Sequence, residues 1–332
     1  MTTVLSELAA TVAAKSAEIA PRIAEYAVRT PVVRFTAASE ACGSTLLVKC
    51  EHLQRTGSFK VRGALSKIFS LSADERARGI VTASSGNHGL GVAQALELLG
   101  GTGVVCVPET VSPAKRAALS RFDVEVRILG RDAGETELLA RRLADELGLA
   151  YVSPYNDLDV IAGQGTVGRE IVEQLDGGPL DAVVVAVGGG GLISGVAAAV
   201  KAARPGVRII GTSPVNDAAM AASVRAGTIV DVDARPTISD GTAGGVEPGA
   251  ITLPLCTELV DEWVLVSEEQ IYEALRMAID TEHQLVEGAA ATAIAAALET
   301  GRAHPGRTIA AVSCGANIST ATLRRALGPA PS

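Results

Sequence analysis

The chain has 332 residues, 48% of them hydrophobic and 20% charged, which excludes disorder and is enough to bury a sizeable core. At ~150 residues per domain the length suggests about two domains. A net charge of −8, no run of more than two Lys or Arg, and only 3% aromatics argue against nucleic acid and anionic membrane as partners.

The opening MTTVLSELAATVAAKSAEIA carries Glu7 and Lys15 in its apolar stretch and reads as an amphipathic helix, not a signal peptide. From Leu47 onward, short β-branched runs alternate with helical stretches. TLLVKCE (45–51) reads as a strand and Ser58 to Leu71 as a helix. GIVTAS (79–84) is a strand, Asn87 to Leu99 a helix, and TGVVCVP (102–108) a strand. A helix over 112–122 has Ser112 as N-cap and Pro113 at its first position. VEVRIL (124–129) is a strand, 132–147 a helix stopped by Gly148, and AYVS (150–153) a strand. A helix at 160–175 leads to DAVVVAVG (181–188), the most apolar strand. Then come a helix at 192–203, strand VRIIGTSP (207–214), helices at 267–282 and 287–300, strand TIAAVS (308–313) and a last helix at 319–327.

Strands apolar on both faces and joined by single helices belong in parallel sheets, so the expected fold is α/β with more than one parallel sheet. No window of ~18 uninterrupted apolar residues exists, so no transmembrane helix is expected. The cysteines (42, 50, 106, 256 and 314) are odd in number and scattered, with no C-x-x-C pair. A reducing, cytoplasmic setting is expected.

Four stretches carry chemistry. VGGGGLISG (187–195) places four glycines between a buried strand and a helix, where converging N–H groups and the helix dipole make a phosphate cradle. Walker A is excluded because Gly-Lys occurs nowhere, and the dinucleotide fingerprint fails in every register. A monophosphate on a smaller cofactor remains. In TGSFKVRGA (56–64), Lys60 sits just inside a helix start. The positive helix end and an apolar surround would lower its pKa, as an imine-forming amine requires. TASSGNHGLG (82–91) gathers hydroxyls, an amide and helix N-terminal N–H groups suited to a carboxylate. SCGANIS (313–319) sets Cys314 at another strand end. Read singly, these residues also fit a solvated lysine, a plain N-cap, a packed histidine and a buried thiol.

Taken together and in order, Ser58-Phe59-Lys60, Ser84-Ser85-Gly86-Asn87-His88, PYNDLDVIAGQGT (154–166), Gly188-Gly189-Gly190-Gly191-Leu192 and SCGAN (313–317) resemble the threonine/serine dehydratase family. These are fold-type II pyridoxal-phosphate enzymes, serine racemase included. The resemblance runs from about Cys50 to Ser319. It implies two parallel-sheet α/β domains of the tryptophan synthase β-like architecture. The large cofactor domain would be residues 1–54 and 155–332, and a smaller substrate-gating domain, 55–154, would be inserted into it. Lys60 would hold pyridoxal 5′-phosphate as an imine. Gly188 to Gly191 and Leu192 would bind its phosphate, Asn87 its 3′-oxygen, and Cys314 would face the pyridine nitrogen. Ser84, Ser85, Asn87 and His88 would hold the substrate carboxylate, and a homodimer or homotetramer is implied.

The implied activity is a dehydratase, or ammonia-lyase, that converts a β-hydroxy-α-amino acid such as L-threonine or L-serine to a 2-oxo acid and ammonia. The alternatives are serine-type racemisation, a different β-hydroxy substrate (hydroxyaspartate, phenylserine or a hydroxyectoine-pathway intermediate), or a catalytically silent amino-acid or pyridoxal-phosphate binding protein. The family usually has Ser at the position of Cys314. Either residue is neutral, so the ring nitrogen is expected to stay unprotonated, which favours elimination. Racemases bind a divalent metal after the strand matching VRIIG. Here Ser213 and Ala219 replace two acidic positions, so no metal is expected. Ser85, where dehydratases often carry Ala, would be the acid on the cofactor face opposite Lys60. No C-terminal regulatory domain is expected within the 332 residues.

Overall fold

The computed structural model describes residues 5–328. Ser6 caps the first helix, α1 (Glu7–Ala24), by accepting the Ala9 N–H. The expected N-terminal helix is therefore shifted toward the C-terminus, and residues 1–4 of it lie outside the described residues. β1 (Val32–Arg34), α2 (Thr36–Cys42) and β2 (Thr45–Lys49) follow, then a 3-10 turn at Glu51–Leu53. The next stretch holds α3 (Lys60–Ser70), α4 (Ala73–Arg78), β3 (Ile80–Ala83), α5 (Asn87–Leu99), β4 (Gly103–Val107), α6 (Pro113–Leu119), β5 (Glu125–Ile128), α7 (Ala133–Leu147) and β6 (Ala150–Tyr151). The remainder is α8 (Leu158–Gln174), β7 (Ala182–Ala186), α9 (Gly191–Ala203), β8 (Arg208–Pro214), α10 (Ala219–Ala226), α11 (Thr252–Leu259), β9 (Glu262–Val266), α12 (Glu268–Asp280), α13 (Gly288–Ala303), β10 (Thr308–Val312) and α14 (Thr320–Leu327).

Local signals act where the sequence put them. Ser112 accepts the Lys115 N–H with Pro113 at the first helical position, and Gly148 ends α7 in the left-handed region at φ 63°. Six elements had no counterpart in the sequence reading: β1, α2, α4, α10, α11 and β9. α4 has a capping box between Ser72 and Glu75 but buries no residue, so it leaves no apolar period. β9 is a half-buried edge strand without the continuous apolar run of β7.

The strands form two sheets, ordered β1-β2-β10-β7-β8-β9 and β5-β4-β3-β6. All pairs are parallel but one: β1 runs antiparallel to β2, Val32 opposite Lys49. The α/β fold with more than one parallel sheet is as expected, and the antiparallel edge strand β1 is an addition to it. The link through α2 is shorter than the dozen or so residues that a parallel crossover needs. In the larger sheet β10 lies between β2 and β7, so the two ends of the chain build one sheet. The smaller sheet comes entirely from strands between residues 80 and 151. Ser84, Gly188 and Cys314 all follow the carboxyl ends of parallel strands, where open α/β sheets bind ligands. All five cysteines are buried free thiols. No described helix is long and apolar enough to cross a membrane.

Candidate active site

Helix α3 begins at Lys60 itself, and its cap residue Phe59 offers no side-chain hydrogen bond. Backbone pairing holds the entry turn instead. The Phe59 N–H donates to Cys314 O at 3.1 Å, the Ala316 N–H donates to Gly57 O at 2.8 Å, and Ser58 bridges Gly315. Two motifs from opposite ends of the sequence thereby become neighbours. On the other side α5 approaches through Gly91, where a Cβ would come within 2.9 Å of the Lys60 carbonyl carbon. The Lys60 Nζ donates to Pro154 O at 2.8 Å. Burial pushes its pKa down to about 8, against an upward pull from Cys314, Glu287 and Glu137.

The glycine stretch is a close-fitting cradle. Gly190 caps α9 at φ 86°, a conformation that side chains disfavour. A Cβ on Gly189 would overlap the Tyr155 ring, and one on Gly188 would come within 2.9 Å of Thr242 O. The first-turn amides of α9, from Gly191, Leu192 and Ile193, have no intrahelical acceptor by the geometry of a helix start. They open toward an anion with the helix dipole behind them. The hydroxyl of Ser213 donates to Val187 O, just before the glycines.

Asn87 is the first residue of α5, and its side chain is held on both sides. Nδ2 donates to Glu287 Oε1 at 2.8 Å, and Oδ1 accepts from Asn317 Nδ2 at 2.6 Å. Glu287 is 3% exposed and caps α13. Its Oε2 accepts the Asn317 N–H at 2.9 Å, and Cys314 Sγ lies 3.9 Å from its Oε1. A Cβ on Gly315 would come within 2.6 Å of the same carboxylate. Burial pushes Glu287 up to about 7 and Cys314 well above the usual thiol range, which keeps the thiol neutral. Sequence reasoning missed Glu287. Its only local signal is its place ahead of an alanine-rich helix, and its partners lie at 87, 314, 315 and 317.

The remaining expected residues divide. Ser84 and Ser85 lie partly buried in the turn between β3 and α5, and the Ser84 hydroxyl accepts the Gly86 N–H at 3.2 Å. The His88 imidazole is turned inward, its Nε2 at 3.0 Å from Val152 O. Burial first, then the Lys60 charge, lower its pKa to about 3, so the ring stays neutral. Of His88, only the main-chain N–H remains at the helix start. Gly241, Thr242 and Gly244, the residues the sequence offers for a substrate side-chain pocket, lie on one loop that borders the cradle, since Thr242 O packs on Gly188, Gly241 faces Glu287 Oε1 and Gly244 N–H donates to Asp217 Oδ2 at 2.8 Å.

Comparison with known proteins gives the following. The family described as pyridoxal-phosphate dependent enzyme matches residues 23–315. An L-threonine ammonia-lyase of Thermotoga maritima is 40% identical over 297 residues, 90% of this chain and 73% of the relative. A serine racemase of Oryza sativa is 34% identical over 315 residues, 93% of this chain and 92% of the relative. The processed form of threonine deaminase isoform 2 from Solanum lycopersicum superposes with a TM-score of 0.92 at 33% identity, covering 98% of this chain and 94% of that one.

Proposed function

This chain belongs to the family of pyridoxal-phosphate dependent enzymes, and from that premise we propose that it is an ammonia-lyase acting on a β-hydroxy-α-amino acid. Water is lost across Cα and Cβ, and hydrolysis then yields a 2-oxo acid and ammonia. L-Threonine and L-serine are the first substrates to try, given the threonine ammonia-lyase relative. The observation that carries the reading is the buried Lys60 amine, held by Pro154 O and lowered to about 8, on a turn whose Phe59 N–H pairs with the carbonyl of the neutral Cys314.

The residues present fit the cofactor. The cradle at Gly188 to Gly191 has no room for side chains, its helix start suits a phosphate, and the one amine among these motifs is Lys60. Gly188, Gly189, Gly190, Gly191 and Leu192 would hold the phosphate, Lys60 the aldehyde carbon, Asn87 the 3′-oxygen and Cys314 the ring nitrogen. When bound, pyridoxal phosphate supplies the electron withdrawal that makes Cα–H acidic and the bond from Cβ to oxygen labile.

The protein's own residues do the rest. Lys60 Nζ accepts the Cα proton. At a pKa of about 8 roughly a tenth of it is neutral at pH 7, against about three in ten thousand for an ordinary lysine. Asn87 would hold the cofactor oxygen through its side-chain amide, which Glu287 and Asn317 fix in direction. The neutral thiol of Cys314 places no charge against the ring nitrogen. Ser84, Ser85 and the first-turn amides of α5 would take the substrate carboxylate. The segment 55–154, with its own small sheet, would act as the gating unit over the substrate.

One observation favours racemisation as a second reading. The Ser85 hydroxyl is engaged by no side-chain hydrogen bond among the described residues, so it is available to a substrate. A coupled 2-oxo-acid assay over a panel of L-β-hydroxy amino acids tests the lyase reading. No 2-oxo acid from any of them, with the bound cofactor intact, would overturn it.

A further inference from the structure

We propose that Arg62, two residues beyond Lys60, is a positioning residue for the Lys60 amine, holding the first turn of α3 through a buried quartet of Arg62, Glu51, Glu170 and Lys49. The proposal rests on the reading of Lys60 as the lysine that bears the cofactor.

Arg62 is 1% exposed. Its Nε donates to Glu51 Oε2 at 2.8 Å and its Nη2 to Glu51 Oε1 at 2.9 Å, a two-pronged pairing. Nη1 donates to Glu170 Oε1 at 2.7 Å and to Thr166 Oγ1 at 3.1 Å, and Nη2 also reaches Val28 O at 3.2 Å. Lys49, fully buried, donates to Glu170 Oε2 and to Thr30 O. The Thr30 hydroxyl donates in turn to Glu51. Two positive and two negative groups balance, and none needs solvent to be paired.

Three members of the quartet each adjoin one wall of the site, and Lys49, through its carbonyl, accepts the Ser313 N–H at 3.0 Å. Arg62 rides on the turn that carries Lys60. Glu51 precedes His52, whose N–H donates to Ser313 O at 3.0 Å, one residue before Cys314. Glu170 and Thr166 lie on α8, the helix that follows Pro154, whose carbonyl accepts from Lys60 Nζ. α3 has no side-chain cap, so its first turn rests on backbone pairing to 314–316 on one side and on the Arg62 fork on the other.

Buried ion pairs give little net stability, but a guanidinium fork fixes direction in a way that an ammonium or an apolar side chain does not. A lysine amine on a four-carbon stem depends on such placement, since a misplacement of about 1 Å can cost on the order of 10²-fold in rate.

The test uses the full chain, as apoprotein and as holoenzyme. Arg62→Lys keeps the charge and loses the fork. Covalent capture of pyridoxal phosphate by the apoprotein, read as the absorbance of lysine-bound cofactor, is expected to slow at least about tenfold. The kcat is expected to fall by a similar factor, with KM within about threefold and a thermal midpoint within a few degrees of wild type. The pair Glu51→Gln with Arg62→Met removes one charge of each sign and leaves Lys49 on Glu170. It is expected to fold and to be as slow. Wild-type capture and kcat in either folded variant would overturn the proposal. So would a rate that merely tracks the unfolded fraction, or a failure of both variants to fold, since the quartet would then serve stability alone. A Lys60→Ala protein that still captures the cofactor covalently overturns the reading of Lys60 instead, so the two failures are distinguishable.

Discussion

Glu287 Oε1 accepts the side-chain amide of Asn87 at 2.8 Å across 200 residues of sequence. The same amide nitrogen lies 3.1 Å from Glu287 Oε2, and because Asn317 Nδ2 donates to the amide oxygen, the orientation of the Asn87 side chain is set. The site is thus arranged from beneath by a carboxyl group that no motif announces.

Burial raises that carboxyl from an ordinary 4.5 to about 7, so the native protein keeps a proton that the unfolded chain releases near pH 4.5. Its contribution to stability is full below pH 4.5 and is lost as pH rises to about 7. Glu287→Gln removes that loss. Relative to wild type, the variant should gain on the order of 3 kcal/mol in unfolding free energy between pH 4.5 and 8. Denaturant titrations of both proteins at the two pH values check this. A difference that stays constant with pH refutes the assignment.

Lys60→Ala should abolish both turnover and the covalently held cofactor. Borohydride trapping in the wild type should label Lys60; label at Lys15, Lys49, Lys67, Lys115 or Lys201 would contradict it. The pH profile gives a second check. With its amine near 8, the apoprotein should capture cofactor about tenfold faster per pH unit below that value and level off above it. A profile still climbing at pH 10 means that the amine is not buried as described.

Gly189→Ala should cost cofactor affinity. The added methyl overlaps the Tyr155 ring, and that ring cannot swing aside without losing the Glu247 N–H held by its hydroxyl at 2.9 Å. Overpacking of this kind costs about 1–3 kcal/mol. Equilibrium titration of the apoprotein should show an affinity at least about tenfold weaker. Unchanged affinity at unchanged stability would show that the loop is looser than its contacts suggest.

Ser85→Ala separates elimination from racemisation. Elimination needs no acid on the face opposite Lys60, so the loss of the hydroxyl should mainly raise KM, as expected when ground-state binding is lost. The lyase kcat should fall less than about tenfold, ~1.4 kcal/mol. Solvent deuterium at Cα of a recovered D-isomer, absent in the variant, would instead assign the chain to racemisation.

The sequence determined what depends on neighbours along the chain. Ser112-Pro113 and Gly148 fix helix ends through their own dihedrals and side chains, and the four glycines at 188–191 mark a strand-to-helix cradle wherever they fold. Lys60 and the turn at 84–88 were legible for the same reason, as strand-end and helix-start chemistry. The tertiary structure decided what depends on distant segments meeting. Only the insertion of β10 between β2 and β7 brings Cys314 beside Phe59, and only then do 87, 287 and 317 share one network. The His88 ring is turned inward to Val152 O, a carbonyl that also accepts from the Thr82 hydroxyl, because packing sets the segment after β6 against β3 and the start of α5. Glu287 and Arg62 were invisible for one physical reason. A charge can be buried only where its partners converge, and those partners come from parts of the chain that only packing brings together.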